Sequence, residues 1–342
     1  MGNKYLNFFL FTFLLINFSQ SIFAQETPKI SETDRIRLAE TFRLEEKLSD
    51  KIWKNWHKTP LAILLVTKET EFLIGHPAPS KDFTEIGYDK LLKHKVYVRK
   101  QQFNPSFLAT FPAILGSGIS TIVVGQAENT WVKTSTPWVV TLLHEHFHQM
   151  QDSQPDFYKE VSDLNLARGD ETGMWMLNYP FPYDDKKINE DFDKLAKQLA
   201  KTLETNQTSA FQKEFETYKK MRKDFNASLK PEDYKYLSFQ FWKEGTARYT
   251  EIEITKIAAK NYKPGKKFSK LKDYKSYAEF SGEIEKDTIN SLKNLSLQDR
   301  KREVVYAFGA GEALLLDKAG IDWKPSYFSE KFYLDKYFDL KK

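Results

Sequence analysis

The runs that read as strands all lie before residue 126, and all but one of the long helical patterns lie after residue 135. That segregation limits the fold more than any other feature of the 342 residues. Strands alternating with helices make parallel α/β sheets, whereas grouped strands followed by grouped helices make α+β layouts. Residues 31–56 space Ile36, Ala39, Phe42, Leu48 and Ile52 as a helix, and Ser31 or Thr33 can cap it. LAILLVT (61–67) and EFLIG (71–75) flank a short polar turn and read as a hairpin. KVYVRK (95–100) and STIVVG (120–125) read as two more strands. From residue 136 helical patterns follow, at roughly 188–205, 209–228, 233–260, 273–295 and 299–319. NYKPGKKFSKLKDYK (261–275) is basic and turn-rich and reads as a solvated connector.

A hydrophobic content of 41% and an aromatic content of 15% support a real core. The net charge of +5 is spread over mixed-sign segments without a basic stripe, so no nucleic-acid partner is expected. No cysteine is present. That excludes disulfides, a thiol nucleophile and a cysteine-ligated zinc. Residues 1–24 have the layout of a secretory signal peptide: one early lysine, an apolar run from Leu6 to Phe18, and a small residue, Ala24, at the cut. The run is short for a membrane span of about 20 residues, and no later segment is long and apolar enough. The expectation is a secreted or periplasmic chain beginning at Gln25, with no stable membrane span after cleavage. No phosphate-binding loop and no G-x-S-x-G elbow occurs.

Three of the six histidines fall within TPWVVTLLHEHFHQMQ (136–151). Thr136 suits a helix cap and Pro137 the first helical position. Val139, Leu143, Phe147 and Met150 recur at helical spacing and mark a buried stripe. His144 and His148 are four apart, so they project from one face, one turn apart, where two imidazoles can hold one metal ion. Glu145 is placed to reach a water beside that ion. His146 points to the far side and reads as a surface or packing residue.

HEHFH therefore spells H-E-x-x-H on a helix, and it resembles the zincin superfamily of zinc metallopeptidases. Gln151 and Gln154 depart from the longer motif of one zincin branch, and the G-T-x-D stretch of another is absent. The remaining likeness is to gluzincin-like members, which take a glutamate from a second helix. FWKEGTARYTE (241–251) is similar to their E-G-x-A-x-Y helix and nominates Glu244 as third ligand. Gly245 and Ala247 are small enough to bring that helix close to the histidine helix. Glu251, two turns further on the same face, could orient a histidine from behind. Glu171 in LARGDETGMW is the alternative third ligand, at a separation near that of thermolysin-like members. GQAENT (125–130) is similar to a G-x-M-E-N stretch of gluzincin aminopeptidases, which makes Glu128 a candidate anchor for a substrate amine. The strand 120–125 is a candidate edge to which a peptide could add. MWMLNYPFPYDD (174–185) reads as a packed loop or a pocket wall, and the small residues around 307–311 as a close helix contact.

The resemblance implies a zincin-like α+β domain over 25–342. A mostly antiparallel sheet with the H-E-x-x-H helix would occupy 25–152, and a helical lower part 153–342. It implies Zn²⁺ held by His144, His148 and Glu244, with Glu145 as general base and a peptide or protein as substrate. Tyr249 is the nominee for stabilising the oxyanion. The alternative is a binding or structural protein of the cell envelope with the same fold and no turnover.

Overall fold

The computed structural model describes residues 27–206 and 209–340; the leader read over residues 1–24 lies outside them. Chain order is α1 (Glu32–Ile52), β1 (Ile63–Val66), β2 (Thr70–Ile74), β3 (Thr84–Asp89), β4 (His94–Lys100), β5 (Leu108–Phe111) and β6 (Thr121–Gly125). Helices follow: α2 (Ser135–Asp152), α3 (Phe157–Asp163), α4 (Trp175–Asn178), α5 (Lys186–Glu204), α6 (Ser209–Ser228) and α7 (Pro231–Gln240). A π turn (Phe241–Gly245) leads into α8 (Thr246–Asn261), and α9 (Tyr277–Lys293), α10 (Leu297–Arg300) and α11 (Val304–Lys318) complete the set. The protein is thus α+β, with one sheet and a helical C-terminal half.

The six strands run in the order β3-β4-β2-β1-β6-β5. Only the β1–β6 pair is parallel; the other four are antiparallel. The expected hairpin is β1–β2, in register Ile63 with Ile74. β1 and β6 are buried on both faces, which is why they read as unbroken apolar runs. Ile63, Leu65, Ile122 and Val124 face the main core, while Leu64, Val66 and Val123 face a smaller cluster with Phe83 and Ile114. β3 and β5 were not expected. β3 is an exposed edge strand with a bulge at Glu85/Gly87, and β5 is four half-buried residues, so neither carries a clear period. β6 is consequently interior, and the free edge on that side is β5, not 120–125 as expected.

α2 crosses beneath β1, β6 and β5, held by its own polar side chains. Gln149 Nε2 donates to the carbonyls of Ala62 (2.9 Å) and Ser120 (2.8 Å), and Trp138 Nε1 donates to Gly125 O (3.1 Å). Its N-terminus differs from expectation. The helix begins two residues earlier, after Thr134, and neither Thr134 nor Thr136 caps it. Asp273 does so from the distant connector, accepting from Ser135 N (2.9 Å) and Ser135 Oγ (2.7 Å). Thr136 Oγ1 instead donates to Lys275 O at 2.7 Å. Burial works against the charge of Asp273, but the Ser135 bonds and Arg37 prevail and hold its pKa below the usual range. The basic connector is therefore anchored, with Phe268 buried beneath it.

The pattern read as one helix over 233–260 is α7, the π turn and α8 in succession. Gly245 ends the π turn against α11: a Cβ there would lie 2.4 Å from Gly309 Cα, and one on Gly309 would lie 2.6 Å from Phe241 O. The smallness of Gly245 thus serves α11 rather than the histidine helix, a correction to the sequence reading. The small residues of 307–311 are the other half of that contact. Segment 174–185 packs on α7 through Tyr179, stacked on Tyr236 at 4.3 Å, and Met176 O accepts from Gln240 Nε2. No helix among the described residues is long and apolar enough to cross a membrane.

Gly309→Ala forces backbones apart where no side chain can yield. We expect a loss of about 1–3 kcal/mol, seen as a melting temperature lower by several degrees. A variant as stable as the wild type would show that this contact is not tight.

Candidate metal centre

Helical geometry brings His144 and His148 to one face of α2, and both are almost fully buried. Their Nε2 atoms lie 3.1 Å apart. Glu244 Oε2 is 3.2 Å from His148 Nε2 and 3.6 Å from His144 Nε2. Three ligand-type atoms thus converge from two helical segments, and the group could hold a metal ion.

The hydrogen bonds on the far sides of the rings say what these nitrogens are. His144 Nδ1 is 2.7 Å from Glu251 Oε1. His148 Nδ1 is 2.6 Å from Gln151 Oε1. Both partners are acceptors: Glu251 is held ionised, and the Gln151 amide nitrogen faces the carbonyl of Lys243 at 3.1 Å. Each Nδ1 therefore carries the proton, and each Nε2 of a neutral ring presents a lone pair to the other and to a carboxylate. Such an arrangement is repulsive unless a cation or an added proton lies between. Burial lowers the His144 pKa, but bonds to Glu244 and Glu251 and the charges of Glu251 and Glu145 overcome it and raise it to about 10. Burial likewise opposes the charge of Glu244, yet His148, His144 and Arg302 hold its pKa well below the usual range. The site demands positive charge. A tetrahedral zinc with ligands at about 2.0–2.1 Å would space them about 3.3 Å apart, so donors and spacing fit such an ion.

Five neighbours fix this geometry. Glu251 is itself held by Arg248 Nη1 at 2.8 Å. Arg302 Nη2 donates to Glu244 Oε1 at 2.8 Å, leaving Oε2 for the histidine side. Gln151 accepts from His148 and donates to the carbonyl of Lys243 in the π turn and to Tyr327 Oη (2.7 Å). Tyr327 Oη in turn donates to Trp242 O at 2.7 Å. A π turn leaves main-chain carbonyls without regular helical partners, and these two side chains supply them.

Glu145 lies on the next position of α2, and Thr110 Oγ1 of β5 donates to its Oε2 at 2.7 Å. Its other oxygen has no protein hydrogen bond among the described residues. Both Glu145 and His144 line a cleft of about 620 Å³ together with Leu108, Trp131, Arg248 and Tyr306.

Other candidates stand elsewhere. Glu171 is exposed in a bend and takes no part in the cluster. Tyr249 is fully buried, with its hydroxyl on Asp317 and its ring against Trp53 and Trp323, so it does not face the cleft. Glu128 accepts from Arg37 Nη1 at 2.9 Å and does not line the cleft that holds Glu145. His146 is a packing residue as read: it stacks on Trp56 at 5.2 Å, Nδ1 bonds Gln149 Oε1 at 2.8 Å, and burial pushes its pKa down to about 4. It thereby orients the amide that ties α2 to the sheet.

Sequence reasoning missed Arg302, Tyr306, Thr110 and Gln151 as parts of the site. Gln151 had a signal, since three positions after His148 is the same helix face. Arg302 and Thr110 had none, because they come from separate elements.

Gln151→Ala should leave three ligand atoms but free the His148 ring and the π turn. Zinc affinity should fall about 10–100-fold by competition with a chromophoric chelator, with Gln151→Glu retaining most of it. Glu244→Ala should abolish the tight site and Glu171→Ala should not. Unchanged affinity in Gln151→Ala would contradict its role. No family model, no curated protein and no solved structure matches the chain, so its function is argued from this geometry.

Proposed function

We propose that the protein is a zinc-dependent peptidase of gluzincin-like type with a zincin-like fold. The observation that carries the reading is the convergence of His144 Nε2, His148 Nε2 and Glu244 Oε2 within 3.1–3.6 Å beside a cleft-facing Glu145. A zinc ion bound there would supply Lewis-acid polarisation of a carbonyl and a lowered pKa for water. The remaining chemistry belongs to the chain. Thr110 holds one oxygen of Glu145, and the free oxygen accepts the proton of the attacking water and returns it to the leaving amine. Tyr306 takes the role first given to Tyr249. Its ring lies 6.2 Å from that of His144, and its oxygen accepts from Arg302 Nη1 at 3.3 Å, leaving its own O–H free to donate. Burial and the nearby Glu244 charge push its pKa up, so it stays a donor at neutral pH. From there it can stabilise charge developing on the carbonyl oxygen. β5, whose Thr110 touches Glu145, offers a strand edge along which an extended peptide can lie. The leader adds export to the proposal, and an exported chain beginning at Gln25 is its test.

Glu145→Gln keeps shape but cannot accept a proton. It should bind zinc as the wild type does and lose about 10²-fold or more in turnover of a mixed peptide library. Tyr306→Phe should lower kcat about 10²-fold with little change in KM. A chelator should abolish cleavage and zinc restore it. A wild type that binds zinc and cleaves nothing would support the alternative of a binding protein without turnover. Full activity in Glu145→Gln would contradict the assignment of the base.

A further inference from the structure

Trp131 is 72% exposed, yet the turn that carries it is held by hydrogen bonds of its neighbours. Thr130 N donates to Ala127 O (3.1 Å) and Thr130 Oγ1 to the same carbonyl (3.0 Å). Val132 N donates to Thr130 Oγ1 (3.3 Å), Thr134 N to Val132 O (2.8 Å) and Lys133 Nζ to Glu128 O (3.1 Å). The main chain holding the indole is therefore set before any ligand arrives. Seven large apolar side chains among the described residues are exposed, from Phe107 at 37% to Leu115 at 90%. Trp131 alone of the seven lines the cleft that holds His144 and Glu145. A single exposed apolar residue on a convex surface is ordinary, but an indole in a cleft, carried on a fixed main chain, is a binding surface.

The surroundings say what it binds. Leu108, Leu295 and Ala307 line the same cleft. Leu108 opens β5, two residues before the Thr110 that holds Glu145, a distance of about 7 Å along a strand. A peptide lying along β5 with its reacting carbonyl at Glu145 would bring a side chain one or two residues away to Leu108 and Trp131. A cation over the indole is the competing ligand. Arg300 opposes one, whereas Asp287 and Glu303 in the same cleft attract one, so the lining charges do not decide between the two ligands and the Lys peptide below does.

We propose that Trp131 is a specificity-determining residue, forming with Leu108 a subsite for a large apolar, preferentially aromatic, side chain next to or next but one to the scissile bond. The inference rests on the peptidase reading, and its test separates the two. Zinc-loaded full chain is given blocked hexapeptides that differ only by Phe, Leu, Lys or Ala at that position. The wild type should favour Phe over Ala about tenfold or more in kcat/KM. Trp131→Ala should reduce that preference to below about threefold through KM, with zinc content and melting temperature unchanged, because so exposed an indole holds up nothing. Equal loss on all peptides, a preserved Phe preference, or a wild-type preference for Lys overturns the proposal. A second arm needs no turnover: the Phe hexapeptide is titrated into Glu145→Gln and followed by tryptophan fluorescence. Saturable change that disappears in Glu145→Gln/Trp131→Ala supports the subsite even where no peptide is cleaved. No change, or the same change in both, overturns it.

Discussion

One glutamine side chain joins the two halves of the metal centre. Gln151 accepts from His148 with its oxygen and donates into the π turn with its nitrogen, and Glu244 is the next residue of that turn. The His148 ring and the carboxylate it must meet are thereby fixed to a common amide. An amide cannot rotate to improve one bond without losing the other, so the link is rigid in both directions. The π turn gives up regular helical bonding in order to re-aim one residue, and Gln151 and Tyr327 make good the exposed carbonyls. Arg302 then holds the second oxygen of Glu244, so the carboxylate offers one atom to the histidines.

The two histidines are supported unequally. His144 leans on Glu251, a carboxylate, whereas His148 leans on a neutral amide. A carboxylate behind an imidazole raises its basicity more than an amide does. The same helix uses its third histidine differently: His146 orients Gln149, whose nitrogen grips the ends of two strands. Alternate residues of one short stretch thus build a cation site and dock the helix on the sheet. The cap from Asp273 adds a third fixed point, at the N-terminus of α2, so the helix is restrained along its whole length.

Much of this was legible in the chain. The segregation of strands and helices gave the class, and β1, β2 and β6 showed themselves as short apolar runs and β4 by its alternation. β3 and β5 hid because an exposed edge and a four-residue strand leave no period to read. The positions of His144, His148, Glu244 and Glu251 followed from helical spacing and from the gluzincin-like letters around them, and all four meet in space. Tyr249 failed because, five residues after Glu244, it lies off the ligand's face and turns into the core against Trp53 and Trp323. Nothing near Glu128 in sequence announces its ion pair with Arg37. Arg302, Tyr306 and Thr110 reach the centre, and Asp273 the N-terminus of α2, from distant elements, and only tertiary packing decides such contacts.

The central claim is that His144, His148 and Glu244 share one divalent ion. The most direct measurement is anomalous diffraction at the zinc edge from crystals of the zinc-loaded protein. The account requires one strong peak bonded to both Nε2 atoms and to Glu244, with Gln151 still bridging His148 and the π turn. A peak bonded elsewhere, or no peak while His144 and His148 stay in direct contact in zinc-saturated crystals, would contradict it.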